Sequence, residues 1–271
     1  MAAVFKNLLR VLACKEVGAP SLLEGPLPLE FCQQIIWRAG PGVWATPKAR
    51  ALAQADACRW CGFDCVPASL EPSVKDEELC QILKGRMKFI QVLPSLRLAQ
   101  QEGVLFEKFS QFLLDEIRRS CTLQGVGGVM LRENWAGVKE KKLREQVLPA
   151  LSRLAKRAHE QGKPFLLECC QGCDQVMDQL ICCGIDARGG FWDSETPIEE
   201  ALGRWWGKIA LFGGLDSQFL TTNGPKTIQH RCRRLMEDTG NKGYAIGVSE
   251  IPGQQIEYLK RIALLGAVQE A

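Results

Sequence analysis

Short apolar runs alternate along the chain with stretches of helical periodicity. The runs fall at 21–23, 63–66, 88–93, 128–131, 164–168, 185–187, 208–212 and 243–248. Each is brief and continuously apolar or β-branched, which is how a strand buried on both faces reads. Between most of them, apolar positions step by three and four. Leu143, Val147, Leu148, Leu151, Leu154 and Ala155 share one helical face, as do Val176, Leu180 and Cys183, and then Ile228, Cys232 and Leu235. Near the start, Phe5, Leu8, Leu9 and Leu12 are at helical spacing and Lys6 and Arg10 interrupt them. That pattern predicts an amphipathic helix rather than a secretory leader. Strands that alternate with helices pair in parallel through right-handed crossovers. Eight such units predict an α/β fold, a (β/α)8 TIM-type barrel with a closed parallel sheet. A doubly wound open sheet is the other arrangement that this order permits.

Composition narrows the picture. The chain has 271 residues, close to the roughly 250 of one such barrel. Its breaks, such as Gly40-Pro41-Gly42 and Gly189-Gly190, are short, so a single domain over residues 1–271 is expected. Hydrophobic residues make up 46% and charged residues 24%, a globular balance. The net charge of +3 argues against a large nucleic-acid footprint. No run approaches the roughly 18 apolar residues of a membrane span, and a cytoplasmic location is expected. Thirteen cysteines, an odd number, include the adjacent pairs Cys169-Cys170 and Cys182-Cys183. These read as reduced thiols with scope for metal chemistry, not as a disulfide framework.

The most informative segment is Pro164-Phe-Leu-Leu-Glu-Cys-Cys-Gln-Gly-Cys173. An apolar strand ends in a carboxylate and three thiols, and a helix follows. Glu168 and Cys170 are two apart and project to one side while the strand stays extended. In a barrel that side faces the mouth, where active sites of this architecture lie. Thiolate and carboxylate together suit zinc. The bland alternative is that Cys169, Cys170 and Cys173 are small apolar fillers at a strand-to-helix corner.

Further stretches stand in a fixed order. Gly127-Gly-Val-Met-Leu-Arg-Glu-Asn-Trp-Ala-Gly137 is a strand with an acidic end. Cys170 is followed by Gly184-Ile185-Asp186. Then come Arg204-Trp-Trp-Gly-Lys208, Gly213-Gly-Leu-Asp216 and Ser249-Glu-Ile-Pro252. In this order the second half of the chain, from about Gly125, resembles the uroporphyrinogen decarboxylase superfamily. The layout is most similar to its cobalamin-linked methyltransferase branch, whose members carry His-x-Cys-Gly where this chain has Glu168 to Gln171. That branch has Cys-x-Ile-Pro where this chain has Ser249 to Pro252. The first half resembles the family less. Residues 46–66 look like its helix ending in Gly-Phe-Asp, and Trp37-Arg-Ala-Gly40 partly echoes the decarboxylase Met-Arg-Gln-Ala-Gly-Arg.

The resemblance implies a barrel and a zinc site with His, Cys and Cys ligands. The matching positions here are Glu168, Cys170 and Ser249. One ligand type is kept, one becomes a carboxylate, and one becomes a hydroxyl, a poor zinc ligand; Glu250 or Cys173 are the possible substitutes. Glu168, Asn134, Asp216 and Glu250 are the candidate catalytic or pocket-shaping residues, with Glu133 a further strand-end acid. Three functions follow from the resemblance. The first is a zinc-assisted methyltransferase that moves a methyl group between a corrinoid, carried by a partner protein, and a thiol or other small acceptor. The second is a metal-free decarboxylase-like enzyme acting on a tetrapyrrole, with Arg132 the best strand-end cation for substrate carboxylates. The third is a non-catalytic corrinoid-binding or partner protein with a degenerate site.

Other features have bland readings. Cys58-Arg-Trp-Cys61 with Cys65 has metal-like spacing, but it fits a helix ending at Gly62 and a strand through Cys65. His159 and His230 lie in charged helical patterns and read as solvated surface, as does the Arg231, Arg233, Arg234 cluster. Trp192, Trp205 and Trp206 read as packing between barrel and helices.

Overall fold

A computed structural model describes residues 3–35, 46–83, 85, 87–97, 105–250 and 256–269. The motif residues Trp37 to Gly40, Pro41, Gly42, Ile251 and Pro252 lie outside these. All eight apolar runs supply a strand: β1 Ser21–Leu22, β2 Val66–Ala68, β3 Phe89–Leu93, β4 Val126–Glu133, β5 Phe165–Cys169, β6 Ala187–Gly189, β7 Ala210–Asp216 and β8 Tyr244–Ser249. Helices α1 Ala3–Leu12, α2 Leu29–Ile35, α3 Pro47–Cys61, α4 Asp76–Leu83, α5 Phe106–Cys121, α6 Leu148–Glu160, α7 Met177–Cys182, α8 Ile198–Trp205, α9 Ser217–Thr222, α10 Pro225–Thr239 and α11 Tyr258–Gln269 connect and cover them. Among the described residues, no helix is long and apolar enough to cross a membrane.

The strands are all parallel, in the order β1-β8-β7-β6-β5-β4-β3-β2. Their C-terminal ends therefore lie together. Alternation sorts each strand into two faces. Ile90, Val92, Met130, Leu166, Ala187, Ala210, Phe212 and Ala245, joined by Leu23 and Cys65 at the ends of β1 and β2, form one cluster. Because every strand contributes to it, the sheet must curve round a shared interior. The alternate residues, among them Phe89, Val129, Leu131, Phe165, Leu167, Leu211, Ile246 and Val248, pack outward under the helices. Helix α1 presses Phe5, Leu8 and Val11 onto the interior cluster at the N-terminal strand ends. The Phe5 ring occupies the space where a side chain on Gly127 would stand.

The closed sheet expected from the sequence is replaced by an open ladder. Among the described residues, β1 pairs only with β8 and β2 only with β3. The two seam strands are short, and Pro67 in the middle of β2 has no N–H to give. Instead, the Asp64 carboxyl faces Ser21 and the backbone N–H of Leu22 across the seam, and burial lifts it to about 7. Strand β2 also begins three residues later than its apolar run. Gly62 closes α3 with φ +82°, and Phe63 still donates back to the Cys58 carbonyl, so pairing starts at Val66.

Candidate active site

Arg132 and Glu168 are register partners on β4 and β5. Both occupy the interior parity of their strands, one step beyond Met130 and Leu166. The Arg132 Nε donates to Glu168 Oε2. Glu168 is 2% exposed and the Arg132 side chain 37%. Burial pushes the Glu168 carboxyl above its usual range, and Arg132 opposes that push. Gly25 packs against the pair: a Cβ there would stand 2.9 Å from Glu168 Oε2 and 3.1 Å from the Arg132 guanidinium carbon.

A second charged group lies beside the first. Arg261, on α11, is buried and donates to Glu24, just after β1, and through Nη2 to Glu250 at 2.9 Å. Glu24 also accepts from the backbone N–H of Val248 at 2.8 Å, which ties the end of β1 to β8. Burial raises the Glu250 carboxyl, while Arg261 and Arg132 pull it down. A cavity of about 190 Å³ opens here, lined by Phe31, Glu250, Ile256 and Arg261 among others. Cys170 follows β5 and is half-buried, and its backbone N–H donates to the Glu133 carbonyl at 3.2 Å. Burial, with Glu168 nearby, pushes its thiol up to about 12.

The other anticipated residues sit at the same end with different roles. The Ser249 Oγ, buried at the end of β8, accepts the backbone N–H of Gly214 at 3.0 Å. Asp216 spends both oxygens on the backbone. It caps α9 by accepting from Phe219 N at 2.6 Å and accepts from Asp193 N at 2.6 Å. Asn134 closes a turn on Ala136 N at 2.9 Å, and Arg97 holds its carbonyl. Glu133 faces outward and gathers Ser95, the Leu96 N–H and the Trp135 indole; burial lifts it to about 7. The sheet thus brings all the predicted residues to one end, but only Glu168, Cys170 and Glu250 belong to the charged mouth with Arg132.

Residues 99–260, more than half of the chain, match the sequence model of the uroporphyrinogen decarboxylase (URO-D) family. The chain belongs to that family. Among solved structures, this URO-D chain is similar to a methyltransferase from Methanosarcina mazei, with 11% identity over 100% of this chain and 99% of that one and a TM-score of 0.73. It is also similar to a sugar phosphate isomerase/epimerase from Parabacteroides distasonis, with 11% identity over 94% and 97% of the two chains and a TM-score of 0.54. Comparison with curated proteins finds no match.

The donors at the URO-D mouth decide whether it can hold zinc. Zinc takes deprotonated ligands with unshared lone pairs. Here Glu168 already serves a guanidinium, whose charge repels a cation, and burial beside Glu168 disfavours the Cys170 thiolate. Ser249 is neutral and occupied by Gly214. Among the described residues, no group of three or more His, Cys, Asp and Glu is placed to hold a metal. The Glu168, Cys170, Ser249 set does not fit the ion, and no step is derived through it.

Sequence reasoning missed Glu24 and Arg261, which pair across the whole length of the chain. It also missed Arg188 on β6. That buried side chain donates to the Cys173 Sγ at 2.8 Å, lies 2.9 Å from Asp174 and stacks on Phe191. It holds Cys173 in a corner beside Asp174. Arg231 is not a solvated helix residue either. It forks onto Asp193 at 2.6 and 2.7 Å and also holds Glu199 at 2.8 Å. The bland readings of the other features agree with the structure in part: Trp206, read as packing, is exposed, and Cys65 precedes β2 instead of lying within it. Cys58, Cys61 and Cys65 are buried and free, Trp192 and Trp205 are packed, and His230 is exposed. His159 is exposed but bonded to Asp186 at 2.7 Å.

Proposed function

We propose that this URO-D family chain is a methyltransferase-like enzyme. It moves a methyl group between a corrinoid carried by a partner protein and a thiol or other small acceptor, with no zinc held in its mouth. The observation that carries this reading is the concentration of buried charge at the C-terminal strand ends. Arg132–Glu168 and Glu24–Arg261–Glu250 lie together there, and Glu250 and Arg261 line a cavity of about 190 Å³. Buried ionisable groups cost stability and cluster where chemistry is done. The likeness to the Methanosarcina mazei methyltransferase over both chains' length supports the same reading.

A bound corrinoid supplies the methyl group on its cobalt. The chain's own residues handle the acceptor. In this reading Arg132 and Cys170 flank it, and Glu250, one third exposed and above its ordinary range, takes the proton of a thiol. The test mixes the purified protein with methylcobalamin and 3-mercaptopropionate. It follows the visible spectrum of the corrinoid and the methyl thioether by mass spectrometry. Thioether formed above a heat-killed control supports the reading, and none overturns it.

A second reading, a non-catalytic corrinoid-binding or partner protein, is favoured by the occupation of Glu168 by Arg132 and of Ser249 by Gly214. Retention of cobalamin on the protein during gel filtration, without thioether, is its signature.

A further inference from the structure

The Arg132 guanidinium has one edge filled and one edge open. Its Nε edge belongs to Glu168. Nη1 and Nη2 make no hydrogen bond to any described residue, and the side chain is 37% exposed at the mouth. Two other arginines spend both terminal nitrogens on carboxylates, whereas the buried Arg188 leaves Nη1 without a partner. Arg261 gives Nη1 to Glu24 and Nη2 to Glu250, and Arg231 gives both to Asp193.

The open edge is also held still. Glu168 fixes the Nε end from a buried position, and Gly25 packs against the guanidinium carbon. A guanidinium with paired, parallel N–H groups matches a planar carboxylate end-on through two hydrogen bonds. Glu250, the other carboxylate whose charge acts on Arg132, is bonded to Arg261. A cation would find less. Glu24 has both oxygens engaged, Glu168 is buried and paired, and one Glu250 oxygen is bonded to Arg261.

We propose that Arg132 is the receptor for the carboxylate of a small acid substrate, bound end-on through Nη1 and Nη2, with Glu168 the positioning residue that aims it. This deepens the reading of the mouth as a small-molecule site by naming the substrate class as a carboxylic acid. The mouth already holds three carboxylates against two guanidiniums. An arriving anion therefore adds to a negative excess. The fork offsets this through directed hydrogen bonds, so geometry, more than net charge, decides binding.

That distinction sets the experiment. Binding of 3-mercaptopropionate and of its uncharged amide, 3-mercaptopropionamide, is measured by ligand-observed NMR on the full chain, with circular dichroism and thermal unfolding as fold controls. The acid binds at least about tenfold tighter than the amide. Arg132→Gln removes the difference, and Arg132→Lys, which keeps the charge but loses the fork, weakens acid binding several-fold. Glu168→Ala also weakens it, although it makes the mouth more positive; pure electrostatics requires the opposite. If Arg132→Gln fails to fold, the double substitution Arg132→Gln with Glu168→Gln removes both charges and reads the same difference. Equal binding of acid and amide, or tighter acid binding by Glu168→Ala, overturns the proposal. The measurement needs no methyl transfer. Binding without thioether formation therefore fails only the proposed activity, and thioether formation indifferent to the carboxylate fails only the receptor.

Discussion

Arg132 and Glu168 stand directly opposite each other on adjacent parallel strands, and their side chains meet inside the curve of the sheet. A buried carboxylate is tolerated there because a guanidinium faces it in register. Arg132→Gln should lower stability by about 1–3 kcal/mol. That is less than the ~3–5 kcal/mol of a fully buried pair, because Arg132 is partly exposed and Glu168 can take up a proton. Urea unfolding at pH 7 and pH 5 checks this, with the loss smaller at pH 5. An equal loss at both would mean that Glu168 is already neutral at pH 7.

The Glu24–Arg261 pair should matter more. Both partners are buried, and they fasten α11 to the start of the barrel. Arg261→Met leaves Glu24 with an unpaired charge and should cost about 3–5 kcal/mol. Arg261→Met combined with Glu24→Gln should recover part of that. Chemical denaturation of the single and double variants forms the cycle, and additive losses would show that the two residues act independently.

Stability should fall as pH rises through the acidic range. Asp64 is lifted from its ordinary 3.8 to about 7 and Glu133 from 4.5 to about 7, both by burial. Between those limits the unfolded chain releases protons that the folded chain keeps. Each group therefore favours folding fully below its unfolded value and loses that contribution by about pH 7. The slope per group approaches ~1.4 kcal/mol per pH unit. Asp64→Asn and Glu133→Gln should each remove part of it. Unfolding free energies from pH 4 to 8 give the slopes, and a wild-type curve that rises with pH over this range would contradict them.

Zinc should not bind stoichiometrically to the native mouth. Dialysis against micromolar zinc followed by elemental analysis should give well under one ion per chain. Glu168→His with Ser249→Cys supplies the two missing donor types, and Arg132→Leu removes the competing cation. The triple variant should gain at least about tenfold in affinity, or ~1.4 kcal/mol. Tight zinc in the native protein that Cys170→Ser abolishes would reverse the reading of this site.

Gly25 should resist substitution for a reason visible only in three dimensions. An alanine there pushes its methyl group against Glu168 and Arg132. Gly25→Ala should reduce acid binding while leaving the unfolding midpoint within a few degrees of wild type. Unchanged binding would mean that the pair has room to shift.

The strands were legible because parallel strands covered on both sides are continuously apolar, and each of the eight runs contributed one. Their ends were less legible. Gly62 stops α3 by a cap that borrows Phe63, and this moved β2. The site was legible in place more than in role. Polar residues at strand ends look alike in sequence, yet Asp216 caps a helix, Ser249 holds a backbone N–H, and Glu168 and Glu250 face guanidiniums. The Asp216-Ser217 step before a helical stretch carried a capping signal that distinguishes the first of these. Nothing local could announce Glu24 and Arg261, which are 237 residues apart. Their pairing is a product of the chain returning to its own beginning.

Helix α1 lies under the sheet with Phe5, Leu8 and Val11 against the interior cluster. The curved sheet is therefore floored at its N-terminal end. A ligand of Arg132 does not come through that floor. For a transfer between two reactants this imposes traffic. In the proposed transfer, a small acceptor that seats first would be roofed over by a bulkier donor arriving after it, and the product would stay until the donor withdraws. Order of addition then follows from the sealed floor rather than from relative affinities, and a donor that docks early bars the way to its own acceptor.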